Sequence, residues 1–383
     1  MSVWDPLEGS RSAAGLAAQL AADQVAHAWL LLGPSGSGKG AASTAMAAAV
    51  NCPVEPLVGC GTCSTCARIV RDIYPDVHRI VPEGPLIPVD VIREAVIPEA
   101  SRSPFEGRWK VFIIEEADRM NPAAQNALLK TLEEPQPDTL FILISGEEEE
   151  LLDTIRSRCR IVRLEPVPEL RTVELLKAEG AGDDQAVLAA RLSDGDLTRA
   201  RKLALDDATV DRRALWLTIP DRLFSPVEAL DAAIEVLDEA KAAGKRLETL
   251  QKKEVVELAE ATGEVRGTAA ARNALAKRHK REIRRVEEEV LGEALQTLAS
   301  FYRDVLAFRR GGTEWIVNLD LLEKVDTWAA APMSDAALLA AVERCIETRA
   351  ALPLNANQIL AIEATLVELA RLVPAPAADP AVW

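Results

Sequence analysis

The chain has 383 residues, 49% hydrophobic and 27% charged, which excludes a wholly disordered or collagen-like polypeptide and leaves room for two or three domains with real cores. Basic residues number 44 against 60 acidic ones, a formal charge of −16 that excludes a protein coating nucleic acid over its whole surface. No apolar run approaches the roughly 20 residues of a membrane span. The start, MSVWDPLEG, lacks the basic-then-apolar order of a signal peptide, so a cytoplasmic location and no membrane partner are expected.

The first short apolar run, Trp29 to Leu32, predicts a buried strand. Directly after it, Gly33-Pro34-Ser35-Gly36-Ser37-Gly38-Lys39 has the spacing of a phosphate loop, and the helix-like stretch Gly40 to Val50 follows. Gly33, Gly36 and Gly38 let backbone N–H groups converge on phosphate oxygens, and Lys39 can neutralise the β and γ phosphates, so the loop is compatible with ATP or ADP. Gly40, however, stands where the motif places Ser or Thr, whose hydroxyl ordinarily ligates magnesium. Ser37 and Ser43 lie at the wrong steps of the turn to replace it, so impaired hydrolysis is expected.

Cys52, Cys60, Cys63 and Cys66 offer four thiolates with two short chelating steps, enough for one tetrahedral structural zinc with no open catalytic position. From Cys52 through Cys66 there is no Lys or Arg and one acid, Glu55, which argues against a phosphate-binding surface. Cys159 and Cys345 stand alone and read as small buried side chains.

Val77 to Val81, Val111 to Ile114, Leu140 to Ile144 and Ile161 to Leu164 read as further parallel strands. The strand at 111–114 runs into Glu115 and Glu116 as a Walker B strand does, but the usual order is Asp then Glu. Glu115 is one methylene longer on the metal side, while Glu116 keeps the place of a water-polarising base. Asn121-Pro122 supplies a helix cap and first-turn proline, and Ala123 to Glu134 continues as helix until Pro135.

After Pro166 the pattern turns to alanine, leucine and charge in helical spacing. Pro168, Gly180, Gly182 and Gly195 cut the segment before Pro220 into short helices, and Ser225-Pro226-Val227-Glu228 opens a new one. Residues 239–290 predict two long charged helices broken near Gly263 and Gly267. Within them Lys277 to Arg285 holds six Lys or Arg and one acid, which reads as a solvated, salt-bridged face, with a DNA or partner contact as the sharper alternative.

These motifs together resemble clamp-loader AAA+ subunits, and within them the delta prime family of bacterial DNA polymerase III. The resemblance covers about 1–220 and rests on His27-Ala28-Trp29-Leu30-Leu31, the cysteines, Glu115-Glu116-Ala117-Asp118-Arg119-Met120, Asn126-Ala127-Leu128-Leu129-Lys130-Thr131-Leu132-Glu133-Glu134-Pro135, and Ser157-Arg158-Cys159. It implies an α/β P-loop AAA+ domain at 1–166 with a zinc module at 51–67, a helical lid at 167–220, an all-α collar at 221–373 and a disordered tail at 374–383. It implies that Ser145 holds the position that senses the γ-phosphate, although Gly146 and the acids Glu147 to Glu150 depart from the usual turn. It also implies that Arg158 is an arginine finger acting on a neighbour's ATP.

The expectation is a non-motor subunit that assembles with gamma or tau and delta and helps load the sliding clamp on primed DNA, with catalysis in trans rather than an ATPase of its own. An ATP-hydrolysing motor subunit of the gamma or tau kind and a zinc-containing nucleic-acid adaptor stay open as alternatives.

Overall fold

The computed structural model describes residues 2–34, 36–82, 86–146, 148–262, 269–354 and 357–373, with side chains described except at 253–262, 269–278 and 281. The chain divides into two compact units, Met1–Asp206 and Asp207–Trp383.

In the first unit, β1 (Ala28–Leu32), β2 (Val77–Ile80), β3 (Lys110–Ile114), β4 (Thr139–Ser145) and β5 (Arg160–Arg163) form a parallel sheet in the order β2-β3-β4-β1-β5. Every residue of β1, β3 and β4 is buried, as continuous apolar strands require when helices cover both faces. Trp29, Leu31, Val111, Ile113 and Ile142 meet one helical layer, and Leu30, Phe112, Ile114, Phe141 and Leu143 meet the other. Phe112 stacks between His78 and Phe141, with ring centres 4.9 and 5.1 Å away.

The helices of this unit are α1 (Arg11–Ala21), α2 (Lys39–Asn51), α3 (Ser64–Val70), α4 (Val89–Val91), α5 (Ile97–Ala100), α6 (Pro122–Glu133), α7 (Asp153–Arg156), α8 (Glu169–Ala178), α9 (Asp183–Ser193) and α10 (Leu197–Leu205). A π-helical stretch, Ile92–Val96, joins α4 to α5. α6 starts where Asn121 accepts from the Ala124 N–H at 2.8 Å and Pro122 fills the first turn. Gly180 and Gly182 separate α8 from α9, and Gly195, at φ 81°, turns the chain into α10.

The second unit is helical throughout its described residues: α11 (Asp207–Thr218), α12 (Pro226–Thr262), α13 (Ala269–Arg309), α14 (Leu322–Ala330), α15 (Asp335–Ala351) and α16 (Gln358–Leu372). Its core includes Trp216, Phe301, Tyr302 and Trp328, with Phe301 and Trp328 edge to face at 5.3 Å.

The sequence placed the start of this part at 221, and the structure places it at 207. Trp216, Leu217 and Ile219 bury themselves in the helical core, so α11 belongs to it, and Pro220 merely opens a 3-10 turn. The break expected at Gly263 and Gly267 and the tail 374–383 lie outside the described residues, as do the side chains of Lys277, Arg278 and Arg281. Of the rest of that basic stretch, Arg284 pairs with Glu288 at 2.8 Å and Glu282 accepts from Gln251 at 2.6 Å. No described helix is long and apolar enough to cross a membrane.

Candidate nucleotide site, zinc site and arginine finger

The phosphate loop joins β1 to α2, and its glycines are there for conformation as well as space. Gly36 and Gly38 have φ of 80° and 84°, a region that costs other residues strain. A Cβ on Gly36 would also lie 2.6 Å from Asp196 Oδ2, so the carboxylate that caps α10 sits against the loop. Lys39 donates to the loop's own carbonyls, Gly33 O at 2.5 Å and Pro34 O at 2.7 Å. Burial pulls its ammonium below the usual lysine range, with the charge of Asp118 acting the other way. Ser37 is buried, and its hydroxyl has no hydrogen-bond partner among the described residues. Ser35 lies outside them.

Gly40 is in the first turn of α2, and a Cβ there would meet nothing within 4 Å. Packing therefore does not demand glycine, and a serine would fit. Ser43 donates to the Gly40 carbonyl at 2.8 Å and Thr44 to the same oxygen at 3.0 Å, so neither hydroxyl replaces the missing one.

Glu115 follows β3, one residue past Ile114, and its Oε1 accepts from Arg79 Nη1 at 2.6 Å. Arg79, on β2, also donates to Thr44 Oγ1 at 2.9 Å and to Asp72 Oδ1 at 3.3 Å. Glu116 adopts φ 47° and pairs with Arg119 at 2.5 Å. Ser145 ends β4 fully buried, in register with Leu32 at the foot of the phosphate loop. Just beyond it, the Gly146 N–H donates to Asp118 Oδ1 at 3.3 Å. Glu148 pairs with Arg163 at 2.5 Å, Glu149 and Glu150 are exposed, and Glu147 lies outside the described residues.

A magnesium ion fits this donor set poorly. Position 40 offers no hydroxyl, and the Glu115 carboxylate is committed to a guanidinium.

Arg158 follows α7 on the first unit's surface, about one third exposed at 32%. It donates to Thr154 O at 2.9 Å and pairs with Glu133 at the end of α6.

The four cysteines converge between α2 and α3, with all four Sγ atoms within 4.8 Å of one another. Cys52 Sγ lies 3.6 Å from Cys60 Sγ and 4.0 Å from Cys63 Sγ. A zinc with four bonds of about 2.3 Å needs sulfurs about 3.8 Å apart, whereas a disulfide needs about 2.05 Å, so the donor set fits zinc. Backbone N–H groups already point at the sulfurs: Glu55 to Cys52 at 3.2 Å, Cys63 to Cys60 at 3.3 Å and Cys66 to Cys63 at 3.4 Å. The N–H groups of Thr62 and Cys63 pull the Cys60 thiol down to about 6, and burial pushes Cys66 up. Cys345 is buried as expected, whereas Cys159 is only partly buried, and burial raises both thiols to about 12.

Sequence reasoning missed two residues. Arg79 carries no motif, and its partners at 44, 72 and 115 meet only once β2 lies beside β3. Asp76 is 1% exposed and accepts the N–H groups of Phe105, Glu106 and Gly107 at 2.6, 2.8 and 2.7 Å, fixing the loop that leads into β3. Burial alone would push its carboxyl up, but those three donors hold it below the usual range.

Residues 10–168 match the family described as DNA polymerase III, delta subunit. The DNA polymerase III subunit delta' of Bacillus subtilis (strain 168) is 33% identical over 192 residues, which is 50% of this chain and 58% of that protein. The subunit delta' of Pseudomonas aeruginosa is 42% identical over 139 residues, 36% of this chain and 42% of that one. Over this stretch the chain is similar to clamp-loader subunits of DNA polymerase III. The gamma/tau subunit of Mycobacterium tuberculosis (strain ATCC 25618 / H37Rv) is also similar, at 33% identity over 180 residues, 45% of this chain and 31% of that protein. The chain thus spans about half the length of the delta' relatives it matches, 58% and 42% in these two cases.

Proposed function

We propose that this chain is a non-motor clamp-loader subunit of the delta' kind, which donates Arg158 to the ATP site of a neighbouring subunit. The observation that carries the reading is position 40: the metal-ligating hydroxyl is absent although a side chain would fit there, so the loss is chemical and not steric. The self-satisfied Lys39 supports it. Arg158 lies on the surface and pairs with Glu133 and Thr154, exposed groups of its own chain, from which a neighbour's phosphates could draw it. A guanidinium on a transferring phosphoryl group is worth about 10³ to 10⁵ in rate in GTPases.

In this reading the chain works in the cytoplasm with gamma or tau and delta, the sliding clamp and primed DNA. Residues 167–206 act as a lid and the helical unit as a collar. The test is reconstitution: the chain must enter a complex with those subunits, and DNA-stimulated ATP hydrolysis by that complex must require Arg158. Failure to assemble, or indifference to Arg158, rules the reading out.

A further inference from the structure

We propose that Arg79 is the built-in cation of this chain's nucleotide site. It occupies the Walker B carboxylate in place of a divalent metal, so any nucleotide the loop takes is taken metal-free. The inference rests on the non-motor reading and adds the group responsible.

The geometry is a closed circuit. Arg79 uses all three guanidinium nitrogens: Nη1 on Glu115 at 2.6 Å, Nη2 on Thr44 at 2.9 Å and Nε on Asp72 at 3.3 Å. Thr44 passes the connection on to the Gly40 carbonyl at 3.0 Å, so the network ends at the residue where a metal-ligating hydroxyl would start. The side chains of Arg79 and Glu115 are 16% and 15% exposed, so solvent screens the pair little. A planar fork with fixed N–H directions suits three such acceptors, which a lysine could not serve together.

Two features oppose a divalent ion. The carboxylate that would attract it is paired with a guanidinium 2.6 Å away, and that fixed positive charge would repel a divalent ion brought to the same carboxylate. The longer reach of Glu115, compared with the aspartate usual at this place, meets β2 rather than the loop. Gly40 removes one ligand but leaves the space beside it open, and the pairing of Glu115 with Arg79 takes away a second.

The test uses the full chain with a fluorescent ADP analogue, titrated in excess magnesium and in EDTA, together with manganese binding read by electron paramagnetic resonance. The wild type is expected to show the same nucleotide affinity, or the same lack of it, in both buffers, and no bound manganese. Gly40→Ser restores the hydroxyl without disturbing packing and is expected to change neither result while Arg79 remains. Gly40→Ser with Arg79→Met is expected to bind manganese and to gain at least about tenfold in nucleotide affinity from magnesium.

Tenfold magnesium dependence in the wild type, or in Gly40→Ser alone, overturns the proposal. So does a folded double variant that gains no metal. A double variant that fails to fold leaves the wild-type and Gly40→Ser arms to decide. None of these results depends on ATP turnover in an assembled complex, so failure here is separable from failure of the non-motor reading.

Discussion

Arg158 and Glu133 form an ion pair across the first unit's surface, Nη2 to Oε1, with the guanidinium also on the Thr154 carbonyl. A finger that acts on a neighbour must first leave Glu133. The two side chains are 32% and 47% exposed, so their pairing is screened and contributes about 0.2–1 kcal/mol. Glu133→Gln should therefore lower unfolding stability by no more than about 1 kcal/mol in a urea titration. It should also leave the assembly's ATP hydrolysis equal or higher. A fall as large as that caused by Arg158→Ala would mean the pair acts as a unit and the finger does not detach.

The cysteine cluster should bind one zinc per chain, measured by elemental analysis of the purified protein. Cys66 is fully buried and its Sγ lies within the group of four, so Cys66→Ser should lose the metal. Losing a structural zinc should cost several kcal/mol, which lowers the thermal midpoint of the first unit by about 10 °C or more. Retained zinc, or an unchanged midpoint after its removal, contradicts the assignment.

Asp76 gives the chain a stability term with a defined pH window. Its folded pKa is depressed, so its contribution is complete above the ordinary aspartate value near 3.9 and is lost as pH falls through the lower folded value. Asp76→Ala removes the acceptor from three N–H groups and should cost about 3 kcal/mol or more at neutral pH. Urea titrations at pH 7 and pH 3 check both points: the gap between wild type and variant should shrink in acid. A gap that widens in acid contradicts the account.

Much of the first unit was legible because its signals are local. A continuous apolar run such as Leu140 to Ile144 calls for burial on both faces, and Asn121-Pro122 opens its helix through contacts within a single turn. The cysteines, too, announce their meeting by spacing alone. Arg79 and Asp76 were not legible, since their roles depend on strand register and on a loop some 30 residues away. The boundary at 206 was missed for a similar reason: Pro220 is a strong local stop, but the burial of Trp216 outweighs it.

Asp196 places a negative charge against the phosphate loop at Gly36. Asp196→Asn keeps the cap on α10, because asparagine caps as well as aspartate does, and removes the charge. Affinity for an ADP analogue should rise about threefold or more, measured by fluorescence polarisation. An unchanged or weaker affinity means the carboxylate does not face the anion.

The non-motor reading is tested most directly by primed-DNA-stimulated ATP hydrolysis in the reconstituted loader, comparing wild type with Arg158→Ala and Lys39→Ala in this chain. Arg158→Ala should collapse the rate by about a hundredfold or more at the site it serves, while Lys39→Ala leaves the rate nearly unchanged. If Lys39→Ala is the damaging change and Arg158→Ala is silent, the chain is a motor with a tolerated Gly40, and the account is wrong.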